Sequence, residues 1–219
     1  MKTRNIIVSI VDDHTLFRDG LSNLLSEFDH ISIGFEAKNG YDMQEKLKAH
    51  GAPEVMLMDI NMPVMDGYAA TAWLKENHPA VHVLALSMYE DDVSIIKMLR
   101  KGAGGYVLKE CNADELVRAI QSIIDTDYYI NELVTGKLIR SVREEDSETG
   151  VAATRAFSAR EMEFLQLCCS ELTYKEIADQ MIISPRTVDG YREALFEKLG
   201  IKSRIGLVLY AIKSKIVAV

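Results

Sequence analysis

The chain has 219 residues, of which 48% are hydrophobic and 26% charged. This composition is typical of a soluble globular protein with one large or two small domains. No apolar run approaches the length of a membrane span, and three cysteines without metal-ligand spacing favour a reduced, cytoplasmic protein. Residues 1–157 carry 16 basic and 25 acidic side chains, and residues 158–219 carry 9 and 8. The first part is therefore a poor candidate for nucleic-acid binding, whereas the charge of the second part does not exclude it.

Apolar runs and helical periodicities alternate through the first 125 residues. The runs predict strands at 5–11, 31–36, 55–59, 81–87 and 105–108. The periodicities predict helices at 14–28, 41–50, 68–77, 91–101 and 113–125. Five strands that alternate with five helices indicate an α/β domain with a parallel, doubly wound sheet, which we assign to residues 1–126.

The pattern changes after residue 126. Residues 126–143 look partly helical and 144–157 are acidic and rich in small residues, so we assign 127–156 to a partly helical linker. The remaining part, 157–219, is all-helical in pattern, with four helices at 159–170, 174–181, 185–199 and 203–215. The connection between the second and third of these helices is short enough for a helix-turn-helix.

Polar side chains occur where four of the predicted strands end. Asp12 and Asp13 follow the first strand, Asp59 ends the third, Ser87 ends the fourth and Lys109 follows the fifth. Right-handed crossovers place these strand ends along one edge of the sheet. Three converging carboxylates call for a hard divalent cation such as Mg²⁺. Because Lys109 and Ser87 suit the oxygens of a phosphoryl group, the set predicts a phosphoryl-transfer site with Asp59 as its nucleophile.

Four segments around these strand ends carry a family resemblance. They are Val11-Asp12-Asp13-His14, Met58-Asp59-Ile60-Asn61-Met62-Pro63-Val64-Met65-Asp66-Gly67, Leu84-Ala85-Leu86-Ser87 and Gly102-Ala103-Gly104-Gly105-Tyr106-Val107-Leu108-Lys109. With these segments, residues 5–125 resemble the receiver domain of two-component response regulators, which has a flavodoxin-like fold. The resemblance implies that Asp59 is the phosphoacceptor for a sensor histidine kinase or a phosphotransfer protein.

The same resemblance implies roles for the neighbours of Asp59. Asp13 and Asp59 would bind Mg²⁺, with Asp12 nearby and the backbone carbonyl of Asn61 completing the set. Ser87 would turn toward the phosphoryl group, with Tyr106 packing inward behind it as the second member of a switch pair. Lys109 would contact a phosphoryl oxygen. Beyond phosphoryl transfer to itself and autodephosphorylation, no enzymatic activity is implied.

The C-terminal helices carry a second resemblance. Its segments are Phe157-Ser158-Ala159-Arg160-Glu161, Leu172-Thr173-Tyr174-Lys175-Glu176-Ile177-Ala178, Ile183-Ser184-Pro185-Arg186-Thr187-Val188 and Lys198-Leu199-Gly200-Ile201-Lys202-Ser203-Arg204. They resemble the LuxR/NarL-type helix-turn-helix output domain. This implies a transcription regulator that binds double-stranded DNA as a homodimer, through helix 203–215 and with a receiver face as a second candidate surface. The candidate DNA contacts are Lys175, Ser184, Arg186, Thr187, Asp189, Gly190, Arg192, Glu193 and Lys198.

Two acids set the predicted recognition helix apart from that family. Asp189 stands where the family usually has lysine after its Thr-Val pair, and Glu193 follows one turn later. Acids beside DNA weaken the attraction to phosphates, although they can accept a hydrogen bond from cytosine N4 in the major groove. Alternatively, Asp189 only complements the helix dipole. The sequence leaves both interpretations open.

Two other functions compete with a phosphorylation-controlled transcription factor. A Mg²⁺-dependent aspartyl-phosphate phosphohydrolase also places an aspartate at the end of a parallel strand, but it needs an acid two residues later, where this chain has Asn61. A regulator that binds DNA as a dimer without phosphorylation would leave the costly cluster of Asp12, Asp13, Asp59 and Lys109 unexplained.

Overall fold

A computed structural model describes residues 4–88, 92–129, 131, 157–214 and 216–217. The chain divides into two compact units, Met1–Ile130 and Asn131–Val219. Most of the predicted linker, including residues 132–143 of the part at 126–143 that was expected to be partly helical, lies outside the described residues. Among the helices of the described residues, none is long and apolar enough to cross a membrane.

The first unit is a five-stranded sheet with its strands in the order β2-β1-β3-β4-β5, all parallel. The strands are β1 Ile6–Val11, β2 Ile31–Ala37, β3 Val55–Asp59, β4 His82–Ser87 and β5 Gly105–Leu108. The helices are α1 Thr15–Ser26, α2 Gly40–His50, α3 Gly67–Asn77, α4 Asp92–Lys101 and α5 Ala113–Thr126. The predicted α/β fold is confirmed, with element ends that differ by one or two residues.

The sheet forms the core because its central strands are apolar on both faces. All five residues of β3 are buried, as expected for a parallel strand that is covered on both sides. Leu57 packs in one apolar cluster with Leu25 of α1 and Ile120 of α5. The alternate residues Met56 and Met58 point to the opposite face of the sheet and are fully buried as well.

The first unit extends a few residues past α5. The backbone N–H of Tyr129 donates to the carbonyl of Gly104 at 2.9 Å, and Tyr129 forms a parallel bridge with Gly105 of β5. The carbonyl of Tyr128 accepts hydrogen bonds from the hydroxyls of Ser122 and Thr126. The sequence assigned these residues to the linker, because two or three backbone contacts after a helix leave no periodic signal.

The described residues of the second unit form four helices, α6 Ala159–Cys168, α7 Tyr174–Met181, α8 Pro185–Leu199 and α9 Arg204–Lys213. Side chains cap the first three of these helices: Ser158 and Thr173 form capping boxes, and Ser184 caps α8 before Pro185. The buried core of this unit consists of Phe164, Leu165, Cys168, Ile177, Ala178, Met181, Val188, Leu195, Leu207 and Ala211. The all-α domain with a helix-turn-helix is therefore confirmed.

Candidate functional site

Four parallel strands end at one edge of the sheet and bring their polar residues together. In the sheet register, Asp59 lies beside Leu86, the residue before Ser87. Ser87 lies beside Leu108, the residue before Lys109. Asp12 directly follows β1, which pairs with β3. The four strand ends thus meet at the edge where open α/β sheets bind their ligands.

The ammonium group of Lys109 lies between two buried carboxylates. Its Nζ atom is 2.7 Å from Oδ2 of Asp12 and 3.1 Å from Oδ2 of Asp59. The three side chains are almost fully buried, with exposed fractions of 4% for Lys109, 0% for Asp12 and 5% for Asp59. Since one ammonium meets two carboxylates, the buried group retains an excess of negative charge, which is unfavourable in a poorly solvated environment.

The carboxylate of Asp59 is held from two sides. The backbone N–H of Ile60 donates to Oδ1 at 2.8 Å, while Oδ2 faces Lys109. Burial raises the pKa of Asp59 above its ordinary value, and the charge of Asp12 raises the pKa further. Lys109 and the N–H of Ile60 lower the pKa without cancelling that rise. A carboxyl group perturbed in this way is typical of a functional site.

Asp12, Asp13, His14 and Asp59 form a cluster that could hold a cation. One potential ligand atom from each residue lies within 4.8 Å of the others. Oδ2 of Asp12 and Oδ2 of Asp59 share the single ammonium of Lys109, and Oδ1 of Asp13 lies 3.0 Å from Nδ1 of His14. Two buried carboxylates that share one ammonium retain an excess of negative charge, which a bound cation would compensate. Because the carboxylates provide oxygen ligands, the residues present suit Mg²⁺.

The predicted switch residues lie on β4 and β5, the two strands beyond β3, which ends in Asp59. Ser87 and Tyr106 are both buried. Tyr106 of β5 pairs in register with Ala85 of β4, two residues before Ser87. Asn61 is exposed, so its position is on the rim of the site. The chain therefore places a buried hydroxyl on the strand beside β3 and a buried aromatic residue one strand further along.

Sequence reasoning missed several residues that position the acids. The backbone N–H of His14 donates to Oδ1 of Asp12 at 2.8 Å, and its Nδ1 atom lies 3.0 Å from Oδ1 of Asp13. Arg18 donates to the backbone carbonyl of Asp12 at 2.7 Å and contacts Glu36 at 3.2 Å. Helical periodicity predicted α1, but it carries no signal for which polar side chain turns back to the sheet.

A second candidate site is the exposed face of α8. Val188 and Leu195 bury the opposite face of this helix in the domain core. Most of the predicted DNA contacts on α8 and its N-cap are exposed, namely Ser184, Arg186, Thr187, Asp189, Gly190 and Glu193. Lys175 of α7 is exposed as well. The helix-turn-helix thus presents these residues to solvent.

Two predicted DNA contacts are engaged within their own domain. The Nζ atom of Lys198 lies 3.1 Å and 3.2 Å from the two carboxylate oxygens of Glu161, and 4.9 Å from the ring centre of Phe157. A terminal nitrogen of Arg192 lies 3.3 Å from Oδ1 of Asp189. Both side chains are partly covered, so the cations of Lys198 and Arg192 are less available to DNA than that of Arg186.

Arg204 has a structural role that the sequence did not reveal. Its guanidinium is buried and donates to the carbonyls of Cys168 at 3.1 Å and Ser170 at 2.9 Å. It also lies 5.0 Å from the ring centre of Tyr174. A cation at the C-terminal end of α6 complements the helix dipole and satisfies carbonyl groups there. Arg204 therefore ties the start of α9 to the end of α6.

Comparison with protein families assigns each unit. A family model for the response regulator receiver domain matches residues 8–121. The chain belongs to the response regulator family. A second model, for bacterial regulatory proteins of the luxR family, matches residues 155–211. The two resemblances noted in the sequence are therefore confirmed.

Relatives in this family match nearly the whole chain. The oxygen regulatory protein NreC of Staphylococcus carnosus (strain TM300) is 32% identical over 213 residues, covering 95% of this chain and 98% of NreC. The transcriptional regulatory protein DegU of Brevibacillus brevis is 34% identical over 225 residues, covering 95% and 94%. The crystal structure of response regulator ChrA from a heme-sensing two-component system is 29% identical with a TM-score of 0.53, covering 97% and 99%.

A solved complex of RcsB with DNA shares the fold. It is 22% identical to this chain, with a TM-score of 0.58, and the match covers 96% of this chain and 99% of RcsB. The family matches and the NreC and DegU relatives together identify a response regulator with a receiver and a LuxR-type DNA-binding domain, homologous to transcription regulators. They do not favour the phosphohydrolase alternative.

Proposed function

We propose that Asp59 accepts a phosphoryl group from a phosphohistidine on a sensor histidine kinase or a phosphotransfer protein. The observation that carries this proposal is the buried arrangement of Asp12, Lys109 and Asp59, in which one ammonium contacts two carboxylates. Replacing buried ionic groups by apolar residues is often neutral or stabilising, so stability alone does not explain this arrangement. A site that receives a phosphoryl group and a cation does explain it.

The proposed step exchanges one bond to phosphorus for another. A carboxylate oxygen of Asp59 forms a bond to phosphorus while the phosphorus–nitrogen bond of the phosphohistidine breaks. The imidazole leaves with the bonding electrons and takes a proton from solvent. Lys109 would neutralise a phosphoryl oxygen and the hydroxyl of Ser87 would donate to another. Mg²⁺, held by Asp13 and Asp59 with Asp12 nearby and the carbonyl of Asn61, would supply charge neutralisation for the transferred group.

The phosphorylated state would control the second domain. Ser87 and Tyr106 would change conformation together, because a new anion beside Ser87 alters which state of the buried pair is favoured. We propose that this change promotes homodimerisation, through α9 or through a receiver face. Partly covered apolar residues of α9, which are Val208, Leu209 and Ile212, support the first of these surfaces.

The cysteines Cys111, Cys168 and Cys169 are free, which supports a reducing, cytoplasmic environment.

We propose double-stranded DNA as the ligand of the second domain. Arg186 and Lys175 are exposed cations on the helix-turn-helix. Both are proposed DNA contacts, and the other proposed DNA contacts are Ser184, Thr187, Asp189, Gly190, Arg192, Glu193 and Lys198. Lys198 would reach a phosphate only after leaving Glu161.

A selection from random-sequence DNA duplexes tests both parts of the proposal. Wild type and Asp59→Asn are incubated with Mg²⁺, with and without a small phosphodonor, before selection. We expect the phosphodonor to increase enrichment by the wild type and to leave the variant unchanged. Equal enrichment under all conditions would indicate a regulator that works without phosphorylation, and failure to enrich any sequence would contradict DNA recognition.

A further inference from the structure

The exposed face of α8 is acidic where the proposed function places DNA. Asp189, Glu193 and Glu197 are exposed along the helix, while Arg186 near its start is an exposed cation. Carboxylates beside a phosphate backbone weaken binding. An acid at this face is therefore tolerated only if its charge is compensated or if it makes a specific contact that offsets the repulsion.

Asp189 has such compensation. Its Oδ1 atom lies 3.3 Å from a terminal nitrogen of Arg192, and the guanidinium of Arg192 lies 5.3 Å from the ring centre of Tyr174. The side chain of Arg192 is 26% exposed, whereas that of Asp189 is 52% exposed. Arg192 thus contacts Asp189 from the protein side, and its positive charge offsets that of the carboxylate. The other side of the carboxylate remains open to solvent.

Glu193 lacks this support. In the described part of the chain no cation lies within ion-pair distance of Glu193. Next to Asp189, Gly190 has no side chain, and apart from its two chain neighbours and the nearby backbone of α8, no heavy atom of the described residues comes within 4 Å of the place of a β carbon there. No side chain projects from the helix surface at Gly190, so another molecule can approach closely beside Asp189.

The major groove offers one base edge that suits an oriented carboxylate. Cytosine presents the N4 amino group, a donor without an adjacent acceptor on the same base. Adenine presents a donor beside the N7 acceptor, and guanine and thymine present acceptors. These acceptor atoms repel the oxygens of a carboxylate. An acceptor-only side chain therefore discriminates best in favour of cytosine.

We propose that Asp189, positioned by Arg192, selects cytosine at one position of each DNA half-site. This inference rests on the proposed DNA-binding function and specifies the chemistry of its operator. Asp189 is the specificity-determining residue, and Arg192 is a positioning residue that acts through it. Replacing the selected cytosine by another base weakens binding by the wild type about fivefold to a hundredfold.

The test is a base-by-base specificity profile of phosphodonor-treated full-length protein. Asp189→Asn shifts the preference at one position from cytosine to adenine, and Asp189→Lys shifts it to guanine, because these side chains match those bases. Arg192→Gln weakens the cytosine preference at the same position without replacing it by another base. Glu197→Gln is the matched control: it makes the same change in charge as Asp189→Asn about 12 Å further along α8, so the profile stays the same.

The outcomes separate this inference from the function on which it rests. Enrichment by the wild type with no cytosine position sensitive to Asp189 overturns the inference and leaves DNA recognition intact. The same change of profile in Glu197→Gln also overturns it, since the effect would then be one of net charge. No enrichment of any sequence by the wild type overturns both. Thermal unfolding of each variant confirms that the domain is folded.

Discussion

A β carbon on Gly67 would lie 2.1 Å from the carbonyl oxygen of Asp59 and 2.9 Å from the α carbon of Ile60. The N–H of Gly67 also donates to the carbonyl of Ile60 at 2.9 Å. The start of α3 is therefore packed directly against the backbone that carries the proposed phosphoacceptor. The contact is made by backbone atoms, which cannot move aside as a flexible side chain can.

This contact predicts that Gly67→Ala displaces the loop after Asp59. We expect the receiver to lose about 1–3 kcal/mol of unfolding free energy, as in other overpacked sites, and the rate of phosphorylation to fall. Chemical denaturation and a phosphorylation time course measure the two effects. Gly20→Ala on α1 is the control, because a β carbon there would meet no described atom within 4 Å apart from its chain neighbours and the nearby backbone of α1. Alanine there should be neutral or slightly stabilising, and equal effects of the two substitutions would contradict the account.

Asp59→Asn is expected to stabilise the receiver in the absence of Mg²⁺. The change removes a carboxylate that is penalised by burial and repelled by Asp12. We expect a gain of about 1 kcal/mol at neutral pH, measured by denaturation. Mg²⁺ should then stabilise the wild type more than the variant, because the variant lacks one anionic ligand. Asp19→Asn, on the exposed surface of α1, should change neither quantity. A loss of stability in Asp59→Asn together with an unchanged response to Mg²⁺ would argue against the cation site.

The sequence predicted the parts of this site that depend on periodicity and strand ends. Asp12, Asp59, Ser87 and Lys109 were found because each follows or ends an apolar run, and parallel strands bring such ends together. Gly67 was noted only as the last residue of a family segment, since its contact with the Asp59 backbone depends on how α3 packs.

In the second domain, too, the contacts that the sequence did not predict are those that depend on packing between distant residues. The starts of its helices could be predicted, because a capping residue is close in the sequence to the backbone groups that it caps. The buried contacts of Arg204 join residues that are far apart in the sequence: Cys168 lies 36 positions before Arg204, and Ser170 lies 34 positions before it. For the same reason, the sequence presented Lys198 as a candidate DNA contact and gave no sign of its ion pair with Glu161, 37 positions earlier.

Two arginines of the second domain should separate folding from DNA binding. Arg204→Ala removes a buried guanidinium and leaves the carbonyls of Cys168 and Ser170 without these donors. We expect a loss of about 2–4 kcal/mol in the unfolding free energy of this domain. Arg186→Ala removes an exposed side chain, so stability should change by less than about 0.5 kcal/mol while DNA binding weakens. The reverse pattern, a stability loss for Arg186→Ala alone, would contradict these roles.

The stability of the second domain should depend on the ionisation of Glu161. The backbone N–H of Ser158 and the ammonium of Lys198 hold the pKa of Glu161 below its ordinary value. A lowered pKa in the folded state stabilises the fold above the ordinary pKa, and this contribution is lost as the pH falls through the lowered value. Glu161→Gln should therefore cost up to about 1 kcal/mol at neutral pH, and the difference should vanish in acid.

Thermal unfolding over a pH series measures this dependence. Glu171→Gln serves as the control, because Glu171 is exposed on the same domain and should show no difference from the wild type at any pH. A difference for Glu161→Gln that persists unchanged into acid would show that the carboxylate charge does not stabilise the start of α6.

The most direct test of the account is the intact mass of the protein after incubation with Mg²⁺ and a small phosphodonor. The wild type and Asp19→Asn should each gain the mass of one phosphoryl group, and Asp59→Asn should gain none. Omission of Mg²⁺ should slow the gain in the wild type. No gain in the wild type, or an equal gain in Asp59→Asn, would contradict the assignment of Asp59 as the phosphoacceptor.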